Sequence, residues 1–268
     1  MLNGPLSLAT IQLPKITACL YGKAGVGKTV FACNSQSTRT FVFDIDDGTF
    51  SAKAWRGDPA TWTPGTRQDL VDVWPRIKTR KEFEAAFGWF LQNHRRYGRV
   101  VLDTATELQN LFLQEIAEKA GHQIPAMQDW GVGLLVMEHL ARVMRGLPLD
   151  VIWNCHEIIA EEATSRRLMF RPSFKGQFKE SYAKHFDLIG RLCLVDHQVK
   201  APDGTVHFTP QRFLQCRPNQ YIEAKDRSNS LTEMEPPILD YVFGKMIHAT
   251  TWVAAPESLS TPAPALRA

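Results

Sequence analysis

The sequence lacks paired cysteines. Its 268 residues include five cysteines, and no two of them form a C-x-x-C pair. Several lie in apolar runs, which is typical of buried thiols and not of a metal site or a disulfide framework. We therefore expect reduced thiols in a cytoplasmic protein. The five residues are Cys19, Cys33, Cys155, Cys193 and Cys216.

Long apolar runs are also missing. No stretch is long enough to cross a bilayer as a helix, so we expect no membrane-spanning segment. The first residues show no charged region followed by an apolar core, so we expect no signal peptide.

The formal net charge of +3 is too small to identify a nucleic-acid partner by itself. The hydrophobic content of 44% and the charged content of 22% are ordinary for a globular protein, and the length allows one large domain or two small ones.

One stretch carries a specific motif. Residues 22–29 read Gly-Lys-Ala-Gly-Val-Gly-Lys-Thr and fit G-x-x-x-x-G-K-[ST], the phosphate-binding loop or P-loop. The apolar run Ile16–Leu20 predicts a strand before it, and residues 30–35 predict a helix after it. Glycines let successive backbone N–H groups face a phosphate, and the start of the helix adds a partial positive charge. A glycine-rich turn beside a surface lysine is the alternative, which the flanking strand and helix disfavour.

The motif assigns roles to its residues in a site for a nucleoside triphosphate and Mg²⁺. Lys28 is expected to contact the β- and γ-phosphates, and the Thr29 hydroxyl is expected to bind Mg²⁺. The predicted nucleotide-binding residues are Gly22, Lys23, Ala24, Gly25, Val26, Gly27, Lys28, Thr29 and Val30.

Acidic residues follow two further predicted strands. Thr40–Phe43 predicts the second strand, and three aspartates within residues 44–47 stand at its carboxyl end, where ligands bind in open α/β sheets. A solvated acidic turn is the alternative interpretation of this cluster. Residues 99–102 predict a strand that ends in Asp103, which is the Walker B pattern. Asp103 is therefore expected to hold Mg²⁺ beside Thr29.

His156 follows another predicted strand, Asp150–Trp153. A polar group just beyond this strand would lie beside the γ-phosphate. His156 is expected either to sense that phosphate through a hydrogen bond or to be a helix-capping or loop histidine.

The segments between these strands are mostly helical by their apolar periodicity. Helices are predicted over 81–97, 108–120 and 130–146, with a loop at 121–128. Residues 51–78 contain three prolines and three tryptophans and are expected to form an irregular insertion packed on the sheet edge.

Basic and aromatic residues alternate after the strand that precedes His156. The basic residues are Arg166, Arg167, Arg171, Lys175 and Lys179, and Phe170, Phe174 and Phe178 are interleaved with them. Cations neutralise phosphates and aromatic faces stack on unpaired bases, so this segment is a candidate nucleic-acid contact. A buried helical stripe explains the phenylalanines equally well. Pro172 and Gly176 argue against one unbroken helix.

A β-hairpin is predicted near the C-terminus. Leu188–Val195 and Thr205–Cys216 read as its strands, with a turn at 201–204. Beyond it, Lys225 and Arg227 are either solvated charges or cations that reach the nucleotide of an adjacent subunit. The expected organisation is an irregular lead-in at 1–14, one domain over 15–248 and a disordered tail at 249–268.

The order of these parts resembles the RecA-like ATPase core, which is an α/β fold with a mostly parallel central sheet flanked by helices. More narrowly, it resembles the phage ATPases of the Sak type, which are RecA-related and linked to single-strand annealing. The resemblance covers about Lys15 to Arg227. The segments that match the family most closely are residues 22–29, 43–46, 101–104, 127–131 and 225–227.

The resemblance implies further roles. Asp46 stands where the family has a catalytic Glu that orients the attacking water, and the shorter Asp implies slow hydrolysis. His156 matches the family's polar sensor. Residues 121–129 and 158–178 fall where the family has its two DNA-binding loops. These matches imply ATP as the nucleotide and single-stranded DNA as the partner.

The resemblance also implies an assembly. Lys225 and Arg227 match a Lys-x-Arg pair that acts on a neighbouring subunit's ATP, which implies a homo-oligomeric ring or filament. The expected function is binding and hydrolysis of ATP·Mg²⁺, with Lys28, Asp46 and His156 as the catalytic residues. Hydrolysis is expected to be coupled to binding of single-stranded DNA in phage recombination or annealing, in the host cytoplasm. A single-strand DNA-binding protein is a candidate partner.

Three other functions share the P-loop. The main alternative is a nucleotide-dependent switch or assembly ATPase without DNA binding. A GTPase is disfavoured because no N-K-x-D guanine-reading motif is found. A small-molecule kinase would need an arginine-rich lid that closes over a second substrate. Residues 166–179 resemble such a lid in composition, so the sequence leaves this alternative open.

Overall fold

The computed structural model describes residues 15–58, 63–161, 166–200 and 205–249. The predicted lead-in at 1–14, the turn at 201–204 and all but the first residue of the predicted tail lie outside the described residues. Within the described part of the chain, no helix is both long enough and apolar enough to span a bilayer.

The secondary structure alternates between strands and helices. The strands are β1 (Thr17–Gly22), β2 (Thr40–Asp44), β3 (Gly57–Asp58), β4 (Thr63–Pro64), β5 (Val71–Trp74), β6 (Arg99–Asp103), β7 (Asp150–Glu161), β8 (Leu168–Pro172), β9 (Leu188–Lys200), β10 (Val206–Gln215), β11 (Lys225–Asp226) and β12 (Met234–Glu235). The α-helices are α1 (Lys28–Cys33), α2 (Thr49–Ala54), α3 (Arg80–Asn93), α4 (Ala105–Lys119), α5 (Met127–Gly146), α6 (Phe178–Ser181) and α7 (Leu239–Ile247).

A mostly parallel sheet forms the centre of the fold. The order β9–β1–β7–β6–β2–β5 is parallel throughout, and β10 joins β9 antiparallel to form the predicted C-terminal hairpin. Every residue of β1, β2 and β6 is buried, because helices cover both faces of the sheet. The predicted fold class, an α/β core with a mostly parallel sheet flanked by helices, is confirmed.

Alternate residues of the strands enter two separate cores. Cys19 and Tyr21 of β1 join one cluster with α3, α4 and α5, whereas Ala18 and Leu20 join the other with α1 and α7. This alternation follows from the period of two in a strand. All five cysteines are buried and free, as predicted.

Several predicted boundaries are wrong. β7 continues to Glu161 instead of ending at Trp153, because β8 pairs with its outer half. Helix α3 begins earlier than predicted, since Thr79 and Glu82 form a capping box, and it ends at Asn93. Helices α4 and α5 also begin three residues earlier than predicted. Residues 51–78 are not uniformly irregular, although they do pack on the sheet edge through β5.

Gly22 allows β1 and β9 to approach closely. A Cβ at this position would lie 2.3 Å from the backbone oxygen of Leu192. We expect Gly22→Ala to lower the free energy of unfolding by about 1–3 kcal/mol, because β9 would have to shift. Urea denaturation measures this change. Gly88→Ala in α3 is the control, since nothing lies within 4 Å of its added Cβ, and it should be neutral or stabilising by up to about 1 kcal/mol. Equal stability of Gly22→Ala and the parent chain would contradict the expected clash.

Candidate nucleotide site

The P-loop connects β1 to α1 in the conformation that its glycines permit. Gly25 and Gly27 have φ values of +77° and +99°, in the left-handed region that favours glycine. The Lys28 side chain is buried inside the loop, and its Nζ donates hydrogen bonds to the carbonyl oxygens of Gly22 (2.9 Å) and Lys23 (3.0 Å). Burial lowers the pKa of the Lys28 ammonium, and the Asp103 carboxylate opposes this shift. The loop therefore holds a partly desolvated cation where phosphates would bind.

Thr29 and Asp103 lie together beside this cation. The Thr29 hydroxyl donates to Oδ2 of Asp103 at 2.7 Å, and Nδ2 of Asn154 donates to Oδ1 at 3.0 Å. Burial raises the pKa of the Asp103 carboxyl, and these two hydrogen bonds act against that shift. Asn154 was not predicted as a site residue. It reaches Asp103 because β7 lies between β1 and β6 and pairs Asn154 with Asp103.

The Thr29–Asp103 pair fits Mg²⁺. A Cβ added to Gly48 would lie 3.3 Å from both Thr29 Oγ1 and Asp103 Oδ2, so glycine keeps the space beside these oxygens open. Within the described residues, no group of three or more His, Cys, Asp or Glu side chains is arranged to hold a metal. Mg²⁺ commonly takes one or two protein oxygens, with phosphate and water oxygens completing its octahedron. The two oxygens therefore suit a metal that arrives with a phosphate.

The three aspartates after β2 have different environments. Asp44 is buried and accepts hydrogen bonds from the Gly48 N–H and the Thr49 hydroxyl at the start of α2. Asp47 forms an ion pair with Lys78 at 2.7 Å. Asp46 lies in the cavity, with Oδ2 at 3.6 Å from Nε2 of His156. Of the three, Asp46 alone is directed toward His156.

His156 lies between two carboxylates. Its Nε2 is 3.6 Å from Asp46 Oδ2 and also 3.6 Å from Glu107 Oε1. Its backbone N–H donates to the Thr106 hydroxyl at 3.1 Å, and β7 pairs it with Gly22 at the entry to the P-loop. Glu107 was not predicted. Its position in the first turn of α4, just after the Walker B aspartate, is the signal that could have identified it.

These groups line one cavity of about 570 Å³. Its walls include most of the P-loop residues together with Asp46, Asp103 and His156. Side chains from distant segments complete it, and they were not predicted: Phe50, Trp55, Leu192, Arg212 and Pro237. Trp55 connects the insertion at 51–78, which had no predicted role, to the candidate site.

Lys225 and Arg227 do not line this cavity. Strand β11 pairs with the start of β9, which itself pairs with Ala18, whereas the P-loop follows the opposite end of β1. Lys225 Nζ donates to the Ala183 carbonyl at 2.7 Å, and Arg227 forms an ion pair with Asp187 at 2.7 Å. Both cations thus have partners within their own chain. Their action on a neighbouring subunit stays a prediction.

The basic segment, residues 166–179, contains β8, which pairs with the outer half of β7, and then a turn and the start of the short helix α6. Phe174 and Phe178 are buried against Trp153, so the interpretation of these rings as core residues is correct and base stacking on them is excluded. Arg171 is ion-paired with Glu223 at 3.0 Å. The other four basic residues are exposed: Arg166, Arg167, Lys175 and Lys179. The exposed charge is therefore concentrated at the base of the β7–β8 connection and after β8.

Comparison with known proteins agrees with the P-loop geometry. A search of curated proteins finds no match. A family model described as an AAA domain matches residues 14–228, which is well over half of the chain and runs from the start of β1 to just beyond β11. The chain therefore belongs to the AAA domain family of P-loop ATPases.

Proposed function

We propose that this protein hydrolyses ATP and couples the nucleotide state to binding of single-stranded DNA, in phage recombination or strand annealing. The observation that carries the proposal is the course of β7. This strand places His156 in the nucleotide cavity and continues to Glu161, next to the connection that leads to Arg166 and Arg167. One strand thus runs from the nucleotide cavity toward the exposed cations.

The cavity residues supply the parts that phosphoryl transfer to water needs. Lys28 would offset the negative charge of the phosphates, while Thr29 and Asp103 would hold Mg²⁺. Mg²⁺, when bound, neutralises charge on the β- and γ-phosphate oxygens. Asp46 accepts a hydrogen bond from the attacking water and orients it. This chemistry depends mainly on positioning and charge, so these few side chains are sufficient.

His156 is suited to report the state of the nucleotide. Its Nε2 lies 3.6 Å from a carboxylate oxygen of both Asp46 and Glu107, and a γ-phosphate in the cavity would compete with these carboxylates for the ring. The next residue, Glu157, forms a 2.6 Å ion pair with Arg191 of β9, whose guanidinium lies 4.0 Å from the centroid of the Phe170 ring in β8. These contacts connect the residue after His156 to β8, so a shift of β7 at His156 would also move β8.

The exposed cations on either side of β8 are the proposed DNA contacts. Backbone phosphates would be contacted by Arg166, Arg167, Lys175 and Lys179. Arg171 would keep its ion pair with Glu223 and have a structural role. The same proposal includes a homo-oligomeric ring or filament in which Lys225 and Arg227 act on the ATP of a neighbouring subunit. It also includes contact with a single-strand DNA-binding protein.

The double variant Arg166→Ala/Arg167→Ala is expected to weaken binding to single-stranded DNA. Because each lost phosphate contact removes about 0.7 from the slope of log K against log salt, the slope should become shallower by about 1.4. Fluorescence anisotropy with a labelled oligonucleotide over a salt series measures both quantities. The control is Arg95→Ala/Arg96→Ala, an exposed pair before the amino end of β6. An unchanged affinity and slope in the first variant would move the DNA site elsewhere.

An ATPase assay with and without single-stranded DNA tests the proposed coupling. We expect DNA to stimulate ATP turnover by the parent chain and to stimulate the Arg166→Ala/Arg167→Ala variant less. ATP turnover that is independent of DNA would instead favour the nucleotide-dependent switch or assembly ATPase.

A further inference from the structure

Arg212 of β10 reaches the P-loop from a distant part of the chain. Its Nε donates a hydrogen bond to the Val26 carbonyl at 3.0 Å, across 186 residues of sequence. A Cβ on Gly27 would lie 3.3 Å from the same Nε, so the glycine allows the guanidinium to lie this close to the loop. Strand β10 is positioned for this contact by its pairing with β9, which places Arg212 opposite Leu194, beyond the carboxyl end of β1.

The Arg212 guanidinium is held in place but is not neutralised. Its Cζ lies 5.5 Å from the centroid of the Trp55 ring, and Trp55 Nε1 donates to the Pro64 carbonyl at 3.0 Å, which fixes the ring. Among the described residues, no carboxylate lies within ion-pair distance of Arg212, and its two Nη atoms make no hydrogen bond. The side chain is partly buried and lines the same cavity as Lys28.

An uncompensated cation in such a place favours an anionic ligand. The partly buried guanidinium loses some of its hydration, and an opposite charge with hydrogen bonds can replace what is lost. Arg212 offers two free Nη groups in a planar arrangement, which matches phosphate oxygens well. The cation–π contact with Trp55 and the hydrogen bond to Val26 restrict the guanidinium, so less conformational freedom is lost when a phosphate binds.

We propose that Arg212 binds phosphate oxygens of the nucleotide held by its own P-loop, with Trp55 as the residue that positions it. The proposal rests on the nucleotide-binding part of the proposed function. It differs from the expectation for Lys225 and Arg227, which would act from a neighbouring subunit. With Arg212, the second cation of the phosphate site comes from the same chain, and phosphate binding does not depend on assembly.

Isothermal titration calorimetry of the full chain tests this proposal. Mg²⁺-ATP and inorganic tripolyphosphate are the two probes, the second of which has no base or ribose. Arg212→Gln is expected to weaken the binding of both by about tenfold or more, as for loss of charge-assisted hydrogen bonds. Arg142→Gln, at an exposed position in α5, changes the net charge equally and should bind like the parent chain.

The outcomes separate this proposal from the proposed function. If the parent chain binds no ATP, the proposed function fails. If the parent binds ATP and Arg212→Gln binds both probes equally well, the role of Arg212 is wrong. A loss for ATP without a loss for tripolyphosphate would assign Arg212 to the base or ribose and would overturn the phosphate assignment. Arg212→Met keeps the apolar stem against Trp55 and replaces the glutamine variant if that one does not fold; parent-like affinity for tripolyphosphate would again overturn the proposal.

Discussion

Lys28→Ala is expected to reduce the affinity for Mg²⁺-ATP by about a hundredfold or more. The ammonium is the buried cation of the P-loop, and charged hydrogen bonds contribute about 1.5–3 kcal/mol each. In the structure its donors are directed to the Gly22 and Lys23 carbonyls, which phosphate oxygens would replace. Isothermal titration calorimetry measures the affinity.

Lys23→Ala provides the matched control for this experiment. Lys23 lies in the same loop, but its side chain is exposed, so its removal leaves the backbone cradle and the buried cation intact. We expect an affinity close to that of the parent chain. Unchanged ATP binding by a folded Lys28→Ala variant would contradict the assignment of residues 22–29 as the nucleotide site. Thermal unfolding of the ligand-free variant shows whether it is folded.

Asp46→Asn is expected to lower ATP turnover by about 10²- to 10⁴-fold while ATP binding is retained. This range is the usual contribution of a group that accepts or orients a proton in the transition state. The amide keeps the size of the side chain but cannot act as the base. Asp46 is also the aspartate of the cluster that faces His156, because Asp44 is engaged with α2 and Asp47 with Lys78. Single-turnover hydrolysis of radiolabelled ATP measures the effect.

Two neighbouring acids serve as comparisons for Asp46→Asn. Asp47→Asn should retain most of the turnover, since the Asp47 carboxylate is engaged in an ion pair with Lys78. Glu107→Gln tests the second carboxylate beside His156 and is expected to have a smaller effect than Asp46→Asn. Retained turnover in Asp46→Asn together with a large loss in Glu107→Gln would assign the water-orienting role to Glu107.

Local sequence patterns predicted the parts of the site that depend on neighbouring residues. The spacing of glycines, Lys28 and Thr29 specifies the P-loop, because backbone conformation and the reach of two side chains are set within eight residues. Apolar runs that end in an acid predicted β2 and β6, since strands of a covered parallel sheet are apolar throughout. The predicted helix boundaries were less accurate. Apolar periodicity locates a helix only to within about one turn, and the exact first residue depends on a capping residue such as Thr79.

Ambiguous patterns needed the tertiary structure. The spacing of Phe170, Phe174 and Phe178 allowed either stacking on bases or a buried face. Burial of Phe174 and Phe178 against Trp153 decides for the core, and the strand β8 excludes a continuous helix. The pairing of Lys225 and Arg227 with groups of their own chain was equally invisible in the sequence, because those partners lie about 40 residues away.

The P-loop, the acidic residue at the end of β6 and the α/β order of elements can all be recognised without a structure. Which other side chains meet at the P-loop and Asp103 is set by the packing of distant segments. Because β7 inserts between β1 and β6, Asn154 bonds to Asp103 and His156 lies beside Gly22 at the start of the P-loop. Arg212 reaches the P-loop because the β9–β10 hairpin extends beyond β1. Such meetings depend on strand order and register, which arise from the packing of the whole sheet and not from any short stretch of sequence.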